Sequence, residues 1–124
     1  MAEKEEKVLF ICTHAGDDPE KAAMPFVMAC AALAMDVKAL VVLQGEGVFL
    51  AKKGYCETLA KPGGFESLTK LIADFLELGG ELKVCVPCIR IRNIAESDLI
   101  DKTGTTAAGQ LITESLKANA VFTY

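Results

Sequence analysis

Tryptophan is absent from this chain, and only 6% of its 124 residues are aromatic. A core built without large rings is aliphatic. The 52% hydrophobic share, drawn largely from Ala, Val and Leu, suits helices packed closely on a sheet. Long apolar runs are also missing. A membrane span needs ~18 or more apolar residues, and the richest stretch, Ala22 to Met35, is shorter and contains Pro25. Met1 is followed by charge rather than an apolar segment, so no signal peptide is expected. There is no basic excess, and a net charge of -4 argues against a general nucleic-acid binder. No Gly-Lys-Ser/Thr occurs, and Gln44-Gly45-Glu46-Gly47 lacks the third glycine of a dinucleotide fingerprint, so no nucleotide is expected.

What is present points to a cytoplasmic protein of one domain, residues 1–124. Five cysteines, an odd number without a secretion signal, are expected to be reduced thiols. A chain of this length buries roughly two-thirds of its unfolded surface, so it needs neither disulfide nor metal staples. The acidic and basic opening, Glu3 to Lys7, is expected to be a solvated start.

Val8 to Cys12 is a continuous apolar run, as in a strand buried on both faces of a parallel sheet, and Val37 to Leu43 reads as a second buried strand. Between them Asp18 caps a helix, Pro19 occupies its first position, and the helix runs to about Met35. Pro25 predicts a kink or restart within it. The apolar character all round Phe26 to Met35 predicts burial by the sheet and by a partner subunit. Val48 to Lys53 is a short helix. Phe65, Leu68, Leu71, Ile72, Phe75 and Leu76 recur at helical spacing, with Gly79-Gly80 ending that helix. Leu82 to Cys85 is a third strand that Pro87 ends or edges. Ile94 to Ile100 is a loop, Thr105 or Thr106 caps a last helix through about Lys117, and Ala120 to Phe122 is a closing strand. This alternation predicts an α/β layer fold with a mainly parallel sheet.

In such a sheet ligands bind beyond the carboxyl ends of the strands. Three exits then share one edge: Cys12-Thr13-His14 with Asp17, Gln44 to Gly47, and Cys85 to Asn93. The only histidine and both arginines lie there. Cys85 ends a strand just before Arg90 and Arg92, and nearby cations lower a thiol's pKa and steady an anionic sulfur. Cys88 forms a Cys-x-x-Cys with it. That spacing serves a redox couple or half a zinc site, but zinc needs about four Cys or His ligands and the chain offers no second pair, so no metal or other cofactor is expected. His14 serves as a base or hydrogen-bond partner, or is a plain loop residue. Cys12 and Cys30 read as small core hydrophobes, and Cys56 as a partly buried thiol.

These segments, "THAGDDPEKAAMPFVMACAALAMD", "LQGEGVFLAKKG", "LGGELKVCVPCIRIRNI" and "LKANAVFTY", resemble the DsrE/DsrF-like proteins over nearly the whole chain. That family includes TusD-type sulfur-relay subunits and small proteins labelled predicted peroxiredoxins. The most diagnostic part is a Cys closing the third strand with an Arg seven residues later, here Cys85 and Arg92. The resemblance implies a three-layer α/β/α fold, flavodoxin-like in outline, with four to five strands. It also implies a sulfur carrier or sulfurtransferase holding persulfide sulfur on Cys85. His14, Arg90, Arg92, Gly45 and Gly47 would contact the sulfur or its carrier, and Cys88 would be a resolving thiol. Sulfur donor and acceptor proteins and a homo-oligomer, a trimer or hexamer, are implied as partners. A thiol–disulfide redox protein using Cys85 and Cys88, and a non-catalytic oligomeric binding module, are the alternatives. Asn93 stands where glycine is common in the family, and it too tolerates left-handed backbone.

Overall fold

The computed structural model describes residues 5–124. Of the opening segment, Glu3 and Lys4 lie outside the described residues, and Glu5 and Glu6 are exposed. Lys7 is not part of a solvated start. It begins the first strand, and its ammonium lies 3.0 Å from Glu114 and 3.7 Å from Glu81.

Five strands form one sheet: β1 (Lys7–Cys12), β2 (Lys38–Leu43), β3 (Glu81–Cys85), β4 (Thr103–Thr106) and β5 (Ala120–Thr123). They lie in the order β4-β3-β2-β1-β5, and every pairing is parallel. The helices are α1 (Pro19–Ala34), α2 (Leu68–Glu77), α3 (Val86–Ile91) and α4 (Ala108–Lys117). Phe10, Cys12, Val41, Leu43, Leu82 and Val84 face α1 and α2, where Phe26 and Phe75 meet edge-to-face at 5.5 Å. Leu9, Leu40 and Val42 alternate to the opposite face and pack with Leu111 of α4. The result is the expected three-layer α/β/α arrangement.

Local chemistry accounts for most boundaries. Asp18 caps α1 by accepting from the Lys21 amide at 3.2 Å, with Pro19 at the first helical position. Ser67 caps α2 in the same way. After α2, Gly79 adopts φ 94° and Gly80 lies against the Phe75 ring, where any Cβ would sit 2.2 Å from it. Pro25 does not restart α1, which is a single helix. The carbonyl that loses its donor belongs to Lys21, an exposed first-turn residue. The outer side of α1 is not buried within this chain: Met28 is 40% and Met35 74% exposed.

Three elements differ from expectation. Val86 to Ile91 is a helix, not an exit loop, because Pro87 falls at a helix start, where a missing N–H costs nothing. Thr103–Thr106 is an edge strand beside β3, and the cap of α4 is Ala107 without a side-chain bond. Short β-branched runs satisfy strand and cap signals alike. Gly45–Ala51 is a 3₁₀ stretch, starting earlier than the expected Val48 helix.

Candidate functional site

Because all strands run one way, the exits of β1, β2 and β3 share one edge of the sheet. The β2 exit is tied to its neighbours by close backbone contacts. Gln44 donates its N–H to the Cys12 carbonyl at 3.0 Å. Gly47 packs so tightly there that a Cβ would meet the Cys12 oxygen at 2.2 Å. Gly47 is therefore a packing residue. Gly45 adopts φ 54° and donates its N–H to the Cys88 Sγ at 3.4 Å.

Cys85 is the residue that caps α3, and Cys88 is the third residue inside it. This is the spacing at which cap and helix side chains meet. Both thiols are free and half-buried. Cationic neighbours were expected to lower the Cys85 pKa, but the structure moves it the other way. Burial pushes the thiol up most strongly, and a hydrogen bond with the Cys88 side chain and the Cys88 charge add to this. The Cys88 backbone N–H and Arg92 pull it down and are outweighed.

Arg92 spans the two exits. Its Nη1 donates to the Cys88 carbonyl at 3.2 Å, and its Nε lies 3.8 Å from Glu46 Oε1. Glu46 was not singled out by sequence; its only signal was an acidic residue in an exit loop opposite an arginine. Arg90 does not join this group. It is exposed and lines a separate concavity with Val86, Ile89, Ile94 and Glu96. Asn93 ends the helix at φ 57°, the left-handed geometry its position demands.

His14 follows β1, two strands and roughly 10 Å of sheet from β3. Its Nδ1 is 2.7 Å from Asp17 Oδ2. Asp17 also accepts from the Ala15 N–H at 2.7 Å, and that bond is the main reason its carboxyl lies below the usual range. The loop is further held by the Tyr55 hydroxyl, which accepts from the Gly16 N–H at 2.9 Å. His14 thus belongs to a tied turn flanking the thiols.

The other cysteines are poor nucleophiles. Burial pushes Cys12 and Cys56 up to about 12, and Cys30 upward as well. Each sulfur lies against a backbone carbonyl, of His14, Leu50 and Leu71 respectively. Among the described residues no three His, Cys, Asp or Glu side chains converge as metal ligands. No helix of the described residues is long and apolar enough to cross a membrane.

Comparison with known proteins gives the geometry a context. The model of the DsrE/DsrF-like family matches residues 6–124, and the chain belongs to that family. The uncharacterized protein MJ0989 of Methanocaldococcus jannaschii is 29% identical over 118 residues, covering 95% of this chain and 99% of that protein. MJ0760 of the same organism is 36% identical over 96 residues; the match covers 77% of this chain but only 34% of that longer protein. Among solved structures, the ychN protein from E. coli superimposes with a TM-score of 0.80 at 20% identity, covering 96% of this chain and 99% of that one. MTH1491 from Methanobacterium thermoautotrophicum gives 0.69 at 12% identity, covering 97% and 100%. These likenesses establish the three-layer fold.

Proposed function

We propose that this DsrE/DsrF-like protein is a cytoplasmic sulfur carrier that holds sulfur as a persulfide on Cys85, within the Cys85/Cys88 pair. The observation that carries the reading is the pair itself. Two free thiols sit together at a strand exit, beside a backbone N–H and a guanidinium, while the three remaining cysteines lie against carbonyls. An anionic sulfur is steadied by such donors. Cys85 also stands at the position matching the family's sulfur-carrying cysteine. A donor protein passes sulfur in by thiol exchange and an acceptor takes it out, with Arg92 and Glu46 at the rim.

The test is to expose the full chain to a small-molecule persulfide, desalt it, and measure cyanide-labile sulfur. The reading expects about one sulfur per chain in the wild type and none when both thiols are replaced, since burial pushes the three remaining thiols up and so disfavours their thiolates. Retention of sulfur by the double variant contradicts it.

A second reading, a thiol–disulfide redox pair, is favoured by the placement of Cys85 as cap and Cys88 three residues on. Adjacent turns of one helix lie within bridging distance. It requires an internal disulfide after mild oxidation, seen as protection of both thiols from alkylation.

The assembly proposed is a homo-oligomer, a trimer or hexamer. Large apolar side chains lie exposed on α1 (Met28, Met35), on α4 (Ile112, Leu116) and on β5 (Val121, Phe122).

A further inference from the structure

We propose that the cleft between α2, the segment after β2 and the segment before β4 binds a free amino acid with a branched or aromatic side chain. This site does not depend on the sulfur-carrying reading. None of the residues gathered around Cys85 and Cys88 lines it.

The cleft has a volume of about 280 Å³, and its walls are fixed. Ile100 donates its N–H to the Ala51 carbonyl at 2.8 Å, and Lys53 donates to the Asp98 carbonyl at 2.8 Å. Lys52 and Leu99 are paired antiparallel between these bonds. The third wall is α2, whose start is capped by Ser67. The lining is mainly apolar, from Leu50, Ile72, Ala73, Leu76 and Ile100. Ala73 is exposed, and Leu76 and Ile100 are half-buried, so part of this apolar lining faces solvent. Cys56 completes it. Burial pushes that thiol up to about 12, and its sulfur lies 3.4 Å from the Leu50 carbonyl, so it presents a neutral, apolar surface. A cavity of about 150 Å³ lined by aliphatic and aromatic side chains holds a benzene ring. The larger volume here accommodates the side chain of leucine or phenylalanine together with the groups on its α-carbon.

The rim selects for charge of both signs. Lys52, Glu57 and Asp101 line the cleft and are exposed. Among the described residues none of the three forms an ion pair. A carboxylate without an amine would meet Glu57 and Asp101 as well as Lys52. An amine without a carboxylate would leave Lys52 facing it. A zwitterion on an apolar body meets each charge with its opposite. Gly54 keeps the rim open, since it adopts φ 81° and nothing lies within 4 Å of the place a Cβ would occupy.

The experiment titrates the full, isotope-labelled chain with L-leucine and L-phenylalanine and follows the backbone amide signals by NMR. Both should shift the Lys52, Gly54, Thr69 and Asp101 signals saturably, with a Kd on the order of millimolar or tighter. Glycine lacks the apolar body, and 4-methylpentanoate is leucine without its amine; neither should saturate these signals below about 10 mM. Lys52→Ala should weaken leucine binding about threefold to fivefold, as for the loss of an exposed ion pair. Ala73→Leu, a change that suits a helix, fills the cleft and should abolish binding in a protein that circular dichroism shows to be folded. No saturable response to either amino acid overturns the proposal. So does equal binding of 4-methylpentanoate, or leucine binding that survives Ala73→Leu. Shifts of the same amides on dilution of the free protein, without a response to leucine, assign the cleft to a second copy of the chain and overturn it as well.

Discussion

Single residues decide the chemistry at the β3 exit. Cys85 is legible in sequence because a strand ends on it and arginines follow. The direction of its pKa is not, because burial comes from the packing of α3 and the β2 exit, which no local pattern encodes. The two arginines look alike in sequence, yet only Arg92 reaches the site; the short helix turns Arg90 to another surface. Replacing Arg92 with Ala removes the charge that draws the Cys85 pKa down and frees Glu46. Alkylation of Cys85 at mildly alkaline pH should slow by about threefold, since reactivity follows the thiolate fraction; an unchanged rate would exclude this role for Arg92. Gly47 is a second residue-scale case. Gly47→Ala places a Cβ against the Cys12 carbonyl, and backbone there cannot yield cheaply. A loss of about 2 kcal/mol in urea unfolding is expected. Asp17 has a lowered folded pKa, so its stabilising contribution is present above the unfolded carboxylate range and is lost as pH falls through the folded value. Asp17 is exposed, which screens the effect. Asp17→Ala should cost about 1 kcal/mol or less at neutral pH, and its gap from wild type should narrow as the pH falls below the ordinary carboxylate range.

At the scale of elements, strands and capped helices were readable where local signals agree. β1, β2 and α1 fall within a residue or two of expectation because apolar runs, Asp18 and Pro19 all point one way. α3 and β4 were missed where one residue carries two meanings. Pro87 reads equally as a strand terminator and as a helix opener, and Thr105-Thr106 reads equally as strand and as cap. The missed helix matters most, since it turns a Cys-x-x-Cys in a loop into a cap and its helix neighbour. Element boundaries set by caps are open to direct measurement. Ser67→Ala removes the acceptor of the Lys70 amide and should destabilise the fold by about 1 kcal/mol, read as a lowered urea midpoint with unchanged slope.

For the whole molecule, the parallel sheet explains why three exits meet, while large apolar residues lie exposed on α1, α4 and β5 and, at Ile91, on α3 beside the site. Family resemblance and the apolar outer side of α1 both lead to the expectation of partner subunits. The exposed α4 residues extend that expectation to the opposite layer. Leu116 is 82% exposed, so Leu116→Glu should leave the unfolding of a single subunit within about 0.5 kcal/mol. If α4 forms an interface, the same change shifts the protein to a smaller mass in light scattering; an unchanged mass removes α4 from the interface. The central claim concerns sulfur, and the most direct measurement is to locate it. Wild-type protein exposed to a persulfide donor, alkylated and mapped by mass spectrometry across all five cysteines, should carry added sulfur on Cys85 and Cys88 alone. Sulfur spread over Cys12, Cys30 and Cys56, or absent from the pair, would contradict the account.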